Sequence, residues 1–255
     1  MPSRRHVLLI SAALLAWLVS APGPRAQTLS SNVDGHVPPG EYQKELEEAE
    51  ESLRQHKWKA GLRKARRLAE TLTLRSWYGK ELGRMLSELA LFQAVAEANL
   101  GKREEALWHW HIAQNLSFKM RNRDLSPYDE ASKLLLEFPL RKLGEVPVGF
   151  VVPDTYPGGP IMKSARQPEK SSWPTVLNNT GAALEGSGNF HAEVIVDKKG
   201  HLHQPVVTST HLHPIVIYSS LEWLREISPF RPALFEGEPS DDLYKVTVQF
   251  QVSRW

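Results

Sequence analysis

The stretch that decides the fold is SPFRPALFEGEPSDDLYKVTVQFQV, residues 228–252. Its first half holds three prolines and a glycine, which interrupt regular secondary structure. Its second half alternates apolar and polar residues, which is typical of a half-buried strand. The stretch therefore predicts a fixed corner that leads into a strand. The apolar face of that strand carries Tyr244, Val246, Val248, Phe250 and Val252.

Two further elements lie upstream of the corner. Residues 190–207 alternate in the same way around Asp197-Lys198-Lys199-Gly200, which predicts a β-hairpin whose glycine takes a positive φ. Residues 215–227 carry apolar side chains at helical spacing, and Pro214 stands just before them. The predicted order is strand, strand, helix, strand, and it defines a small α+β domain over residues 181–255.

Several motifs in this order resemble the C-terminal domain of the TonB family. They are Gly188, the turn 197–200, the helix segment Leu221–Arg225, the corner Phe230-Arg231-Pro232-Ala233, and Gly237-Glu238-Pro239 before the last strand. The resemblance covers about residues 186–252. It implies a domain that binds an extended segment of a partner, such as one from an outer-membrane protein, beside a sheet edge.

The residues that carry the resemblance divide into structural corner residues and a candidate binding strand. The corner residues Phe230, Pro232 and Gly237 have structural roles: Phe230 packs between helix and sheet, Pro232 stops the helix, and Gly237 permits the reversal. A Val248→Pro substitution is expected to abolish binding. The candidate edge runs from Leu243 to Val252, and its site residues are Leu243, Lys245, Val246, Thr247, Val248, Gln249 and Phe250.

A second, helical region precedes this domain over residues 41–143. In LALFQAVAEANLGKREEALWHWHIAQNL, residues 89–116, an alanine recurs every four residues until Gly101, and a small–large–small pattern follows it. This hairpin resembles a tetratricopeptide repeat. A degenerate copy surrounds Gly61, 45 residues before the equivalent Ala106. The fold class is therefore α + (α+β), with repeat-like antiparallel helical hairpins followed by the strand–strand–helix–strand domain.

The remaining segments connect or precede these regions. Residues 1–26 have a basic start, an apolar run from Val7 to Val19 and a small-residue end, which is the plan of a secretory signal peptide cleaved near Ala26. Residues 27–40 read as a polar leader. Residues 144–180 hold six prolines and read as a linker. The expected location is the periplasm or the exterior, with membrane contact only if the N-terminal segment is uncleaved.

Charge and cysteine content narrow the function classes. Residues 1–26 contain three basic residues and no acidic one, so the mature chain has 28 Lys+Arg and 29 Asp+Glu, a net charge of −1. Nucleic acid is therefore not expected as a partner. The chain has no cysteine, which excludes disulfides and thiol nucleophiles. An alternative is a TonB-type energy transducer with a retained anchor, although no histidine lies within its apolar run.

Histidines supply a further alternative. Two His-x-His pairs, His201/His203 and His211/His213, could each place two rings on one face of a strand. Together they would suit a zinc or copper site in a periplasmic metal-binding protein, and no other cofactor is expected. The competing interpretation is that the rings decorate a solvated strand and a loop.

No enzyme motif is found in the sequence. Metalloprotease, nucleophile-elbow, phosphate-loop and dinucleotide-binding patterns are absent. The sequence therefore predicts an exported, non-enzymatic adaptor, in which the TonB-like domain binds an extended partner segment and the helical region forms a second protein-binding surface.

Overall fold

The computed structural model describes residues 39–74, 81–153, 162–168, 175–178, 186–209 and 212–254. Residues 37–255 form one compact unit. The predicted signal peptide and most of the predicted leader lie outside the described residues. Across the described ranges, no helix is both long enough and apolar enough to cross a membrane.

Four helices form the N-terminal part as two hairpins with short turns. They are α1 (Pro39–Arg54), α2 (Trp58–Leu74), α3 (Glu81–Asn99) and α4 (Arg103–Leu116). Gly101 sits in the α3–α4 turn with φ at 75°, a conformation that favours glycine. The predicted hairpin over residues 89–116 is thus present, as is a helical region ahead of the sheet.

The α1–α2 hairpin owes its close packing to Gly61. A Cβ atom at this position would lie 2.3 Å from Cδ2 of Leu53 and 3.5 Å from the carbonyl oxygen of Ala49. Ala49 and Ala65 are fully buried beside it. Small residues let the two helix backbones approach each other, which is the role that the sequence pattern predicted for position 61.

The helical part ends in short elements. The segment 127–138 forms one short helix, α5 (Glu130–Lys133), followed by a 3-10 turn over Leu134–Glu137. Ser132 of α5 is buried, and its Oγ accepts a hydrogen bond from Nδ2 of Asn99 at 2.7 Å. This short helix therefore packs onto the end of α3.

The C-terminal part contains a four-stranded sheet in the order β2-β7-β3-β4. The long strands β3 (Gly186–Val196) and β7 (Asp242–Arg254) pair antiparallel over residues 186–196 and 242–252. β4 (Leu202–Val207) pairs antiparallel with β3, and β2 (Thr175–Asn178) pairs parallel with the end of β7. The predicted strand–strand–helix–strand order is confirmed, and β2 is added to it.

The corner is built as a second small sheet. β5 (Ala233–Phe235) and β6 (Glu238–Ser240) form a hairpin around Gly237, whose φ is 89°. β1 (Met162–Lys163) pairs antiparallel with β5. Phe230 is 3 % exposed and packs edge-on against Tyr244. The predicted corner is therefore a fixed structural feature, more regular than the connection that the sequence suggested.

The helix α6 (Pro214–Glu226) joins the two parts. It contacts α3 and α4 on one side and β3, β4 and β7 on the other. Nε2 of Gln93 on α3 donates a hydrogen bond to the hydroxyl of Tyr218 on α6 at 2.9 Å, and both side chains are buried. One continuous hydrophobic core runs from α1 to β7.

The segment 144–180, predicted as a linker, is attached to the sheet wherever it is described. The N–H of Gly144 donates to the carboxylate of Glu193 on β3 at 2.8 Å, and the N–H of Val151 donates to Asp241 at 2.9 Å. The same segment supplies β1 and β2. In its described parts, the segment is therefore held by hydrogen bonds between its backbone N–H groups and carboxylates, and by strand pairing.

Candidate functional site: an open edge of strand β7

The side chains of β7 divide cleanly between core and solvent. Val246 and Val248 are 1 % exposed and face the core, whereas Lys245, Thr247 and Gln249 are exposed on the opposite face. This alternation follows from the two-residue period of a strand. It fixes the faces of the sheet, but it does not say which backbone groups of β7 are already paired.

The hydrogen bonds of the neighbouring strand β3 show which backbone groups of β7 are paired. Thr247 lies directly opposite His191 in the β3–β7 ladder. The carbonyl of His191 accepts from the N–H of Thr208 at 2.9 Å, and its own N–H donates to Oγ of Ser209 at 2.7 Å. Both backbone groups of His191 therefore point toward β4. In an antiparallel ladder, the residue opposite must then direct its own N–H and C=O away from β3.

A contact on the other side of β7 agrees with this assignment. Nε2 of Gln167 approaches the carbonyl oxygen of Thr247 at 3.5 Å. Since the β3–β7 register runs without a shift from residue 242 to 252, the alternation extends along the strand. Even-numbered residues bond to β3. Four odd-numbered residues turn both backbone groups toward the outer edge: Leu243, Lys245, Thr247 and Gln249.

Other parts of the chain lie at both ends of this outer edge. At one end, the N–H of Ala165 donates to Oδ2 of Asp242 at 2.8 Å. At the other end, β2 pairs with residues 251–254. Between them, no strand of the described residues lies beside 243–249. We call residues 243–249 of β7 the open edge.

The open edge corrects the predicted binding strand. β7 is paired with β3 along one side from residue 242 to residue 252, so Val246, Val248 and Phe250 belong to the β3 ladder and not to the outer edge. Phe250 also closes over Gly188, where an added Cβ would lie 2.7 Å from the Phe250 ring. Proline at position 248 would break the sheet itself, so it is not a selective test of binding.

The structure describes three of the four histidines of the predicted metal site. His203 Nε2 lies 3.0 Å and His201 Nδ1 lies 3.5 Å from the same carboxylate oxygen of Asp197. His213 caps α6, and His211 lies outside the described residues. Among the residues that the structure places, no group of three or more ligands could hold a metal ion. The four-histidine site stays a prediction, which metal analysis of the purified protein would test.

A buried charge cluster between helices was missed by the sequence analysis. His109 and Glu97 are both fully buried, with Nδ1 and Oε2 2.5 Å apart, and Arg66 adds a contact to Glu97 at 2.8 Å. Nε2 of His109 also lies 3.2 Å from Oε1 of Glu222 on α6. Burial alone would lower the pKa of His109, but Glu222 and Glu97 outweigh it and raise the pKa to about 9.

The neighbouring His111 behaves in the opposite way. It is fully buried, and burial lowers its pKa to about 4, with Arg141 and His203 adding to the effect. Arg141 itself is buried in an ion pair with Glu193, Nη1 to Oε1 at 2.6 Å. The only sequence signal for these groups was their presence inside apolar helical and strand patterns. In both clusters, ion-paired residues come from separate elements of the chain, so their spacing in the sequence did not reveal the pairs.

Comparison with protein-family models, curated protein sequences and solved structures found no match to this chain. The function must therefore be argued from the geometry of the site. Within the described residues, no strand lies beside the outward backbone groups of the open edge, and the carbonyl of Thr247 has a side-chain contact from Gln167. Such an edge can pair with another extended chain. The buried clusters have the geometry of structural ion pairs that join elements.

Proposed function

We propose that the protein is an exported, non-enzymatic adaptor that binds an extended partner segment by strand addition at the open edge. The observation that carries the proposal is the outward direction of the backbone groups of Leu243, Lys245, Thr247 and Gln249. Main-chain hydrogen bonds to these residues would supply affinity. The helical region is proposed as a second protein-binding surface, and the resemblance to the TonB family favours a segment of an outer-membrane protein as partner.

The side chains along the open edge set the chemistry of the partner. Lys245, Thr247 and Gln249 are exposed on one face of β7, so an added strand would place every second side chain beside them. Acidic or polar residues suit these places because Lys245 carries a positive charge. The intervening partner side chains would lie toward the Val246 and Val248 face, where apolar residues fit. The preferred segment therefore alternates polar and apolar residues.

The N-terminal segment decides between the adaptor and the anchored transducer. The adaptor is expected to begin near Gln27 after export, since residues 1–26 have the plan of a cleaved signal. N-terminal sequencing of the protein purified from its native host measures this directly. A mature chain that begins at Gln27 contradicts the transducer, and a chain that keeps Val7–Val19 contradicts cleavage.

Selection of displayed random heptapeptides, which match the length of the open edge, on the immobilised full chain tests the strand-addition proposal. We expect the recovered peptides to alternate polar and apolar residues. Their binding should fall about tenfold or more in Thr247→Pro, because proline removes an outward N–H and the hydrogen bond it would make. Proline is tolerated at strand positions whose N–H faces away from the sheet.

Thr247→Ala is the matched control. It removes the side chain, including the contact of Oγ1 with Nδ1 of His191 at 3.1 Å, but keeps the backbone N–H. Binding should stay within about twofold of the original value, since only a rim contact is lost. Circular dichroism establishes that both variants fold. Equal binding by folded Thr247→Pro and Thr247→Ala would rule out strand addition at this edge.

A further inference from the structure

The strand β2 lies on the same edge of β7 as the proposed binding site. Thr175–Asn178 pair in parallel with Gln251–Arg254, directly after the open edge. Gln167, earlier in the same segment, contacts the carbonyl of Thr247 on this side. We infer that β2 is a built-in competitor, which a partner strand longer than the open edge must displace.

The dimensions of the edge make competition unavoidable for long segments. The open edge holds seven residues, which span about 23 Å at the usual rise of 3.3 Å per residue. A partner that continues along β7 past Phe250 meets the outward groups of Gln251 and Ser253, which β2 occupies. Short segments would bind beside β2, whereas longer ones would have to replace it. This inference rests on the proposed function and describes how the same site is regulated.

The pairing of β2 is of a kind that can be displaced. It covers only four residues in a parallel ladder, which is slightly less stable per residue than an antiparallel one. A longer strand from a partner would replace the hydrogen bonds of this ladder and add those of the open edge. β2 and a partner strand therefore compete for β7 through the same kind of backbone hydrogen bond.

Displacement would also reach the helical part. β2 contacts α2 and α6 as well as β7. Its removal from the edge therefore breaks a contact between the sheet and the α1–α2 hairpin. Partner binding at the sheet is in this way coupled to the surface that the helices present.

The test uses the chain's own sequence as the probe. A fluorescent peptide of residues 171–181, SSWPTVLNNTG, is titrated into the full chain and into a variant in which Thr175–Asn178 are replaced by Gly-Ser-Gly-Ser. Because the replaced variant lacks the strand propensity to refill the edge, we expect it to bind the peptide at least about tenfold more tightly than the original chain. Equal, weak binding to both would overturn the inference.

Two methylated peptides provide a control that does not alter the protein. One carries an N-methyl group on the amide of Val176 and the other on the amide of Leu177. Alternate residues of an added strand direct their N–H toward and away from β7. One peptide should therefore lose binding to the replaced variant while the other keeps it. Equal loss, or no loss, in both peptides would show binding of another kind and overturn the inference.

A final comparison separates this inference from the proposed function. Twelve-residue peptides that extend the selected heptapeptide sequences should bind the replaced variant more tightly than the original chain and compete with peptide 171–181. The twelve-residue peptides could instead bind the original chain and the replaced variant equally, depend on the amide of Thr247, and not compete with peptide 171–181. That result would show that β2 is no competitor, and it would leave strand addition at the open edge intact. If peptide 171–181 binds as expected but no selected peptide depends on Thr247, the proposed function fails and the occupancy of the edge by β2 stands.

Discussion

Gly200 shows how a single residue locks the hairpin to the corner. Its φ is 86°, and a Cβ atom there would lie 1.9 Å from the carbonyl oxygen of Phe230. Its own carbonyl accepts from the N–H of Phe230 at 2.8 Å. The sequence predicted the positive φ from the turn 197–200. It did not predict the close approach, because the two residues are distant in sequence and only the fold brings them together.

Replacing Gly200 should therefore cost more than backbone strain alone. We expect Gly200→Ala to lower the free energy of unfolding by about 3 kcal/mol or more, since steric overlap with a backbone adds to the strain of a positive φ. Gly237→Ala is the matched control, with φ at 89° and no atom within 4 Å of an added Cβ. It should cost only about 1 kcal/mol. Urea denaturation measures both; equal costs would contradict the locked corner.

At the scale of elements, the alternation in residues 243–252 was enough to predict β7. The structure extends the strand to Asp242–Arg254, and on the predicted apolar face Val246 and Val248 are buried while Tyr244 and Phe250 are partly buried. The sequence could not reveal which backbone groups are open, because this depends on the register with β3. Nor did residues 228–252 indicate that Thr175–Asn178 would join them, since a four-residue strand carries too short a pattern to recognise.

The cluster around His109 connects α4 to α3 and α6, and it predicts how stability depends on pH. The folded pKa of about 9 lies above the ordinary 6.5, so the stabilisation is fully present below pH 6.5 and is lost as the pH rises through 9. Glu97, Glu222 and, through Glu97, Arg66 are the charged groups that face the ring. We expect the free energy of unfolding to fall between pH 6.5 and 9.

Two variants separate this effect from that of His111. His109→Gln should be less stable at pH 6 by about 3 kcal/mol and should lose the decline toward pH 9. The reason is that the buried carboxylate of Glu97 and the partly buried carboxylate of Glu222 both lose the imidazolium and keep only their arginine partners, Arg66 and Arg225. His111 has a folded pKa of about 4, so its contribution is lost as the pH falls from 6.5. His111→Phe should reduce only that acid-side decline. Urea titrations at several pH values measure both, and an unchanged alkaline decline in His109→Gln would contradict the assignment.

At the scale of the whole molecule, the order of elements was predictable but their association was not. Composition and periodicity indicated a helical region and a small α+β region, and both are present. They are joined by one core, by the Gln93–Tyr218 hydrogen bond and by a segment that the prolines had suggested was a linker. Contacts between helices and sheet link residues more than a hundred positions apart, beyond the reach of local patterns.

The shared core bears on the proposed function. α6 packs against the helices on one side and the sheet on the other, so the open edge is held by the whole unit. A rigid edge loses little conformational entropy when a segment binds, which favours affinity. Binding experiments should accordingly use the full chain, because a fragment beginning at residue 181 would lack β2 and the helices that support α6.

Site-resolved amide hydrogen exchange along β7 tests the central claim most directly. In the free protein, the outward amides of Leu243, Lys245, Thr247 and Gln249 should exchange fast, and those of Tyr244, Val246, Val248 and Phe250 should exchange slowly because they bond to β3. A saturating selected heptapeptide should slow the first set and leave the second unchanged. Uniform protection along β7 in the free protein, or no added protection on binding, would contradict strand addition at this edge.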